Sequence, residues 1–65
     1  MKDIVKILEK SYSAKNVKQG FQRGDYDLEG CIYECLSILT NCGVEASQHI
    51  KTESIMIYLN DINID

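Results

Sequence analysis

The sequence contains no proline and no tryptophan, and its aromatic residues are four tyrosines and one phenylalanine. Proline is the strongest helix breaker, so its absence favours an α-rich chain. No apolar run is long enough to cross a bilayer, and charges interrupt every apolar stretch of the N-terminus, which reads MKDIVKILEK. We therefore expect neither a signal peptide nor a membrane span, and we expect a cytoplasmic protein.

The length of 65 residues allows one domain, so residues 1–65 are expected to form a single helical unit. A chain of this size buries only about 60% of its unfolded surface, which leaves the core marginal. Such chains usually gain stability from disulfides, a metal or self-association. The composition, 45% hydrophobic and 26% charged, is that of a globular protein and lacks the signature of disorder.

Acidic residues are scarce in the first part of the chain, and basic residues are scarce in the second. Residues 1–24 carry six basic and two acidic residues, a net +4, whereas residues 25–65 carry one basic and eight acidic residues, a net −7. The whole chain has a net charge of −3. Segregation of this kind often marks a surface that meets a partner of opposite sign.

Periodicity and punctuation divide the chain into three segments. A first helix is predicted from Asp3 to Gln19, with Gly20 as its stop, followed by a loop over residues 20–24. A second helix is predicted from Tyr26 to Cys42, with Asp25 as N-cap and Gly43 just past its end.

The third segment, KTESIMIYLNDI, fits two patterns. Ile55, Tyr58, Leu59 and Ile62 match a helical stripe, but Ile55, Ile57 and Leu59 also alternate as in a strand. We favour a helix over residues 53–60, with Thr52 as a possible N-cap, because a lone strand would have to pair with another chain.

All three cysteines stand in the stretch GCIYECLSILTNCG. On a helix that advances about 100° per residue, Cys31, Cys35 and Cys42 share one stripe. Thiols four residues apart on a helix are poorly placed for a disulfide, and the stretch has no CxxC knuckle for zinc. We interpret them as packing residues. The weaker alternatives are a zinc site with His49 and a redox or catalytic thiol, which the acidic neighbours disfavour.

A ladder of lysines runs along the first helix at a spacing of four, and further basic residues extend it towards the loop. Such a face is either solvated or binds an anion. In the loop GFQRGDYDLEG, an aromatic residue stands beside an arginine, a pair typical of interfaces, although a lone Phe also commonly completes a core. The predicted ligand- or partner-binding residues are Lys6, Lys10, Lys18, Phe21 and Arg23.

The run IMIYL is apolar at every position. A helix that is apolar all round must be buried all round, which is difficult within one copy of so short a chain. We therefore predict an oligomer interface, most simply a two-fold homodimer, that contains Met56, Ile57 and Tyr58. The alternative is that the run belongs to the core.

These patterns predict an all-α domain of three helices with the second helix central, which self-associates; the alternative fold has two helices and one C-terminal strand. No phosphate loop, metal cluster or nucleophile motif occurs, so we expect no enzyme, no metal and no cofactor. The leading interpretation is a small regulatory or inhibitor protein that binds another protein. Its size and its content of Ile, Lys and Asn would suit a phage-encoded inhibitor of a host system.

Two other functions stay open. One is a homo-oligomer that sequesters a small anionic ligand such as a nucleotide, bound by the basic residues with Tyr12 or Phe21 stacking on the base. The other is a weak nucleic-acid-binding regulator, although an isoelectric point near 4.9 lacks the basic footprint that such proteins show.

Overall fold

The structure, a computed structural model, describes the backbone of residues 2–61 and the side chains of residues 3–61. Four helices and no strand occur within that range: α1 (Lys2–Lys10), α2 (Tyr12–Gln22), α3 (Leu28–Asn41) and α4 (Gln48–Asn60). The all-α class is confirmed, and the alternative with a C-terminal strand is wrong, because residues 53–60 are helical. The prediction of three helices is also wrong, because the expected first helix is two helices.

The break between α1 and α2 falls at Ser11. This residue has extended backbone angles (φ −87°, ψ 125°), and its side chain accepts a hydrogen bond from the N–H of Ala14 at 3.3 Å. Serine competes with the helical backbone for hydrogen bonds in this way, which makes it a good N-cap and a poor interior residue. The predicted helix from Asp3 to Gln19 ran through Ser11, since periodicity does not distinguish an interior serine from a capping one.

Helix α2 ends at Gln22, three residues later than the predicted Gln19. Gly20 is buried inside the helix, and the residue in the left-handed conformation is Gly24, with φ 83°. The N–H of Gly24 donates to the carbonyl of Phe21 at 3.1 Å, and the N–H of Asp25 donates to that of Gly20 at 2.8 Å. This is the Schellman arrangement, which satisfies carbonyls at the end of a helix.

Helix α3 begins and ends on strong local signals. Its N-cap is Asp27 rather than the predicted Asp25, and Asp27 Oδ1 accepts the N–H of Gly30 at 2.9 Å. Its end was predicted correctly: Gly43 has φ 76° and donates to Thr40, while Val44 donates to Leu39 at 3.1 Å. Both glycines at helix ends, in α2 and α3, therefore complete the same motif.

Helix α4 is capped by Ser47, whose hydroxyl accepts the N–H of Ile50 at 3.3 Å, and not by Thr52. Its C-terminal end is held from a distance of 37 residues in sequence. The side-chain amide of Gln22 donates to the carbonyl of Leu59 at 3.4 Å and to that of Asp61 at 3.2 Å. These bonds satisfy carbonyls that the helix itself leaves without a partner.

The core collects residues from all four helices, and every helix contacts the other three. Helix α3, which was predicted to be central, therefore contacts no more helices than the other three do. The fully packed positions are Ile4, Leu8, Ala14, Cys31, Cys35, Leu39, Ile55, Tyr58 and Leu59, with Ser54 as the one buried polar residue among them. The Ser54 hydroxyl donates to the carbonyl of Ile50 at 2.8 Å, so its burial leaves no hydrogen bond unmade.

Candidate binding groove

An open groove of about 730 Å³ lies between α2 and the beginning of α3. Its volume falls within the usual range for ligand sites, roughly 300–1,000 Å³. The α2 wall, the loop before α3 and the first two turns of α3 line it, with Asn16, Val17, Asp25, Tyr26, Asp27, Gly30, Cys31 and Glu34. The groove thus combines carboxylates and an aromatic ring with the apolar side chains of Val17 and Cys31.

Local helix geometry places three carboxylates along the groove, without bringing them to one point. Asp27 and Glu34 are seven residues apart, which places them on the same face of α3, and Asp25 precedes them in the loop. Among the residues that the structure describes, no basic side chain lines the groove. The groove is therefore acidic, at a position where the second part of the chain is already rich in negative charge.

The ring of Tyr26 forms one wall of the groove and rests against α2. It occupies the space that a Cβ at position 20 would fill, so only glycine at that position admits the ring. Tyr26 is nevertheless 54% exposed, since its other parts face the groove and solvent. Gly20, which was predicted as a helix stop, serves instead as the seat of an aromatic side chain.

The rim of the groove already holds one guanidinium. Arg23 Nε lies 3.4 Å from Asp25 Oδ2, and both side chains are mostly exposed, at 71% and 60%. An exposed pair of this kind contributes only about 0–1 kcal/mol, so it is easily exchanged for another cation. Asp27 caps α3 through Oδ1 and is also one of the residues that line the groove.

The cysteines divide into two classes. Cys31 and Cys35 are buried free thiols, as the packing interpretation predicts, whereas Cys42 is exposed at the C-cap of α3. Burial, with Cys31 and Glu34 nearby, raises the pKa of the Cys35 thiol to about 12. Burial and the carboxylates of Asp27 and Glu34 also raise the pKa of Cys31. Raised values keep both thiols protonated, which suits packing rather than nucleophilic chemistry.

The predicted basic binding residues lie on α1, on α2 and at the C-cap of α2. Lys6 and Lys10 are exposed on α1, but Lys18 Nζ lies 4.7 Å from the ring centroid of Tyr58. Arg23 pairs with Asp25, and Phe21 is half-buried against the core, which was the alternative interpretation of that residue. Three of the five residues, Lys18, Phe21 and Arg23, therefore have partners inside the chain.

The predicted oligomer residues also separate. Tyr58 is 2% exposed within the single chain, so it packs in the core and has no surface to offer a second copy. Burial, with Cys35 and Glu9 nearby, raises the pKa of its phenol to about 12. Met56 and Ile57 are exposed, at 40% and 51%, and Ile50 lies with Ile57 on the outer face of α4. Ile62, the last member of the predicted stripe, lies outside the described residues.

Sequence reasoning missed the acidic groove, although its local signals were present. The residues Asp25, Tyr26 and Asp27 follow a helix-ending Gly24, and Glu34 stands seven positions after the capping aspartate. What the sequence does not show is that α2 folds back so that Asn16 and Val17 form the opposite wall. That wall turns an acidic helix start into a groove.

Comparisons with protein families, with curated proteins and with solved structures found no match for this chain. In the part of the chain that the structure describes, no helix has the length and apolar character needed to cross a bilayer. Over the same residues, no group of three or more His, Cys, Asp or Glu side chains is placed to hold a metal ion.

Proposed function

We propose that this chain is a small regulatory or inhibitor protein without enzymatic activity, which acts by binding another protein through the groove between α2 and α3. The groove is the single observation that carries the proposal. Its lining combines the Tyr26 ring, apolar Val17 and three carboxylates, a mixture of aromatic, apolar and charged side chains that protein interfaces use. The suggestion of a phage origin rests on size and composition alone.

The sign of the groove selects the kind of partner. The groove carboxylates Asp25, Asp27 and Glu34 favour a partner with a positively charged surface. The acidic second part of the chain would also attract such a partner over a longer range. Sequestration of an anionic ligand and nucleic-acid binding are less well supported, because Lys18 lies over the Tyr58 ring and Arg23 stands beside Asp25 at the rim of an acidic groove. Both alternatives would have to use Lys6 and Lys10 on the surface of α1.

The proposal is tested by comparing three forms of the protein as bait in a lysate of the organism that encodes it: wild type, Glu34→Lys and Glu45→Lys. Glu34 lines the groove, whereas Glu45 is exposed in the segment between α3 and α4 and makes the same change in net charge elsewhere. We expect quantitative mass spectrometry to find one protein that wild type and Glu45→Lys retain and that Glu34→Lys loses.

Two results would contradict the proposal. A partner that all three baits retain equally would bind at a surface other than the groove. The absence of any specifically retained protein, with folded wild-type bait and chemical cross-linking to preserve weak complexes, would count against a protein-binding function altogether. Circular dichroism of each variant excludes unfolding as the cause of a lost partner.

A further inference from the structure

We propose that the groove binds the guanidinium of an arginine in a basic segment of the partner protein; this inference rests on the function proposed above. The first argument is the combination of an aromatic ring with carboxylates. The Tyr26 ring stands between Asp25 and Asp27 in sequence, and Glu34 lies on the α3 wall of the same groove. A guanidinium is the cationic group that both stacks on an aromatic face and donates several hydrogen bonds to carboxylates.

The second argument is a guanidinium already present at the rim. Arg23 Nε lies 3.4 Å from Asp25 Oδ2, so the chain itself occupies one acidic position with the same chemical group. The pair is largely exposed, and an incoming arginine can replace it at little cost. Arg23 is not among the residues that line the groove, so its side chain leaves the interior open.

The third argument is the rigidity of the aromatic wall. The Tyr26 ring is seated against the backbone of α2 at Gly20, where a Cβ would collide with it. The turn between the ring and the helix is closed by the 2.8 Å hydrogen bond from the N–H of Asp25 to the carbonyl of Gly20. A stacking surface held in advance loses less conformational entropy when a ligand binds.

Other occupants fit the groove less well. A divalent cation would need several oxygen ligands converging on one point, and the described residues contain no such group of three. A lysine would satisfy the charge and can lie over a ring, as Lys18 does over Tyr58, but its ammonium lacks the planar fork with which a guanidinium stacks and pairs with carboxylates. An anion would meet three carboxylates, and no basic residue lines the groove over the described side chains 3–61.

The test uses the full ¹⁵N-labelled chain, titrated at low salt with three capped tetrapeptides whose two central residues are arginine, lysine or glutamine. We expect the arginine peptide to shift the backbone amides of Tyr26, Gly30 and Glu34, with tighter binding than the lysine peptide and no binding of the glutamine peptide. Glu34→Gln should weaken arginine binding about two- to five-fold, the effect of one exposed ion pair. Glu45→Gln is the matched control and should leave it unchanged.

Two variants test the aromatic wall without changing charge. Tyr26→Leu keeps an apolar side chain but removes the ring, and Gly20→Ala should displace the ring while retaining it. Both should reduce the preference for arginine over lysine towards equality. Thermal unfolding shows whether either variant still folds. Glu34 makes no hydrogen bond or ion pair among the described side chains, so Glu34→Gln tests the site even if Tyr26→Leu or Gly20→Ala does not fold.

Failure of this inference is distinct from failure of the proposed function. Equal binding of the arginine and lysine peptides to wild type, arginine binding that Glu34→Gln does not weaken, or no arginine binding at all would overturn the arginine site. A partner that is lost on Glu34→Lys would still support the protein-binding function in those cases. A calcium titration at constant ionic strength that shifts the same amides more strongly than the arginine peptide would assign the groove to a divalent cation and also overturn the inference.

Discussion

The three cysteines show at the scale of single residues how position on one helix decides chemical behaviour. Cys31 and Cys35 are at most 1% exposed, whereas Cys42 has left the core because the chain turns at Gly43. The helical wheel placed all three on one stripe, but the last of them is the C-cap, where the regular geometry ends. The packing interpretation is therefore confirmed for two cysteines and wrong for the third.

A thiol-specific reagent should distinguish the exposed cysteine from the two buried ones. We expect one equivalent to react quickly with the native protein at neutral pH, and the other two only after unfolding, because Cys31 and Cys35 are buried and their pKa values are raised. Ellman's reagent with and without urea measures this directly. Cys42→Ser should abolish the fast equivalent; two or three fast equivalents in wild type would show that the buried thiols are accessible.

The buried acidic groups should make stability depend on pH in the alkaline range. Burial raises the pKa of Cys35 from 9.0 to about 12 and that of Tyr58 from 10.0 to about 12. The folded state holds both protons more tightly than the unfolded state, so their contribution to stability is complete below pH 9 and is lost as the pH rises towards 12.

Urea unfolding at a series of pH values from 8 to 11.5 checks this expectation. The free energy of unfolding should decline above pH 9, and Tyr58→Phe should decline less steeply above pH 10 because the phenol is gone. Cys42→Ser should follow the wild-type curve, since its thiol is exposed. A free energy of unfolding that rises between pH 9 and 11 would contradict the direction of both shifts.

At the scale of elements, the caps determine where the helices begin and end. Ser11, Asp27 and Ser47 each accept an N–H three residues ahead, at 3.3, 2.9 and 3.3 Å. The two Schellman turns, at Gly24 and Gly43, close the other ends. These are local interactions, and they explain why the end of α3 was predictable. The capping role of Ser11 was not predictable, because the sequence offers two nearby serines that look alike. Ser11 caps α2, whereas Ser13 lies on the helix surface.

The serine pair gives a matched test of the division between α1 and α2. Ser11→Ala should lower the free energy of unfolding by about 1 kcal/mol, because the N–H of Ala14 loses its acceptor. Ser13→Ala should change it by less than about 0.5 kcal/mol or stabilise slightly, since Ser13 is exposed inside α2 and alanine favours helix. Urea denaturation of both variants measures the two free energies of unfolding. Equal losses would contradict the capping role of Ser11.

At the scale of the whole molecule, a small core is combined with a surface on which acidic, basic and apolar residues lie on different helices. The acidic groove lies between α2 and α3, while exposed Lys6 and Lys10 lie on α1 and exposed Ile50, Met56 and Ile57 lie on α4. The interior of so short a chain is marginal, and self-association would bury further apolar surface. With Tyr58 assigned to the core, any interface on α4 has to use its outer face.

Self-association stays a prediction and has a direct measurement. Native electrospray mass spectrometry of the wild-type chain, 7.4 kDa per copy, should detect a dimer or larger species. Ile57→Glu should shift the population to monomer, because it places a charge in the predicted interface, whereas Tyr33→Glu on the exposed face of α3 should not. A wild-type protein that is monomeric at every accessible concentration would overturn the oligomer interpretation and leave the α4 face as ordinary surface.

Local sequence alone determined the features that depend on a few neighbouring residues. The absence of proline and the helical spacing of apolar residues indicated the all-α class, and the glycine after Cys42 indicated the end of α3. The burial of Cys31 and Cys35 followed from the apolar stripe that they share. In each case the determining interactions span one or two helical turns, which is the range that periodicity and capping patterns report.

Only the tertiary structure decided the rest, because it depends on residues distant in sequence. Lys18 stacks over Tyr58 across 40 positions, and Gln22 holds the end of α4. The acidic groove exists because the Tyr26 ring is seated on Gly20 and α2 forms the wall opposite α3. Periodicity assigns a residue to a face of its own helix, but it does not say which other helix, loop or side chain that face will meet.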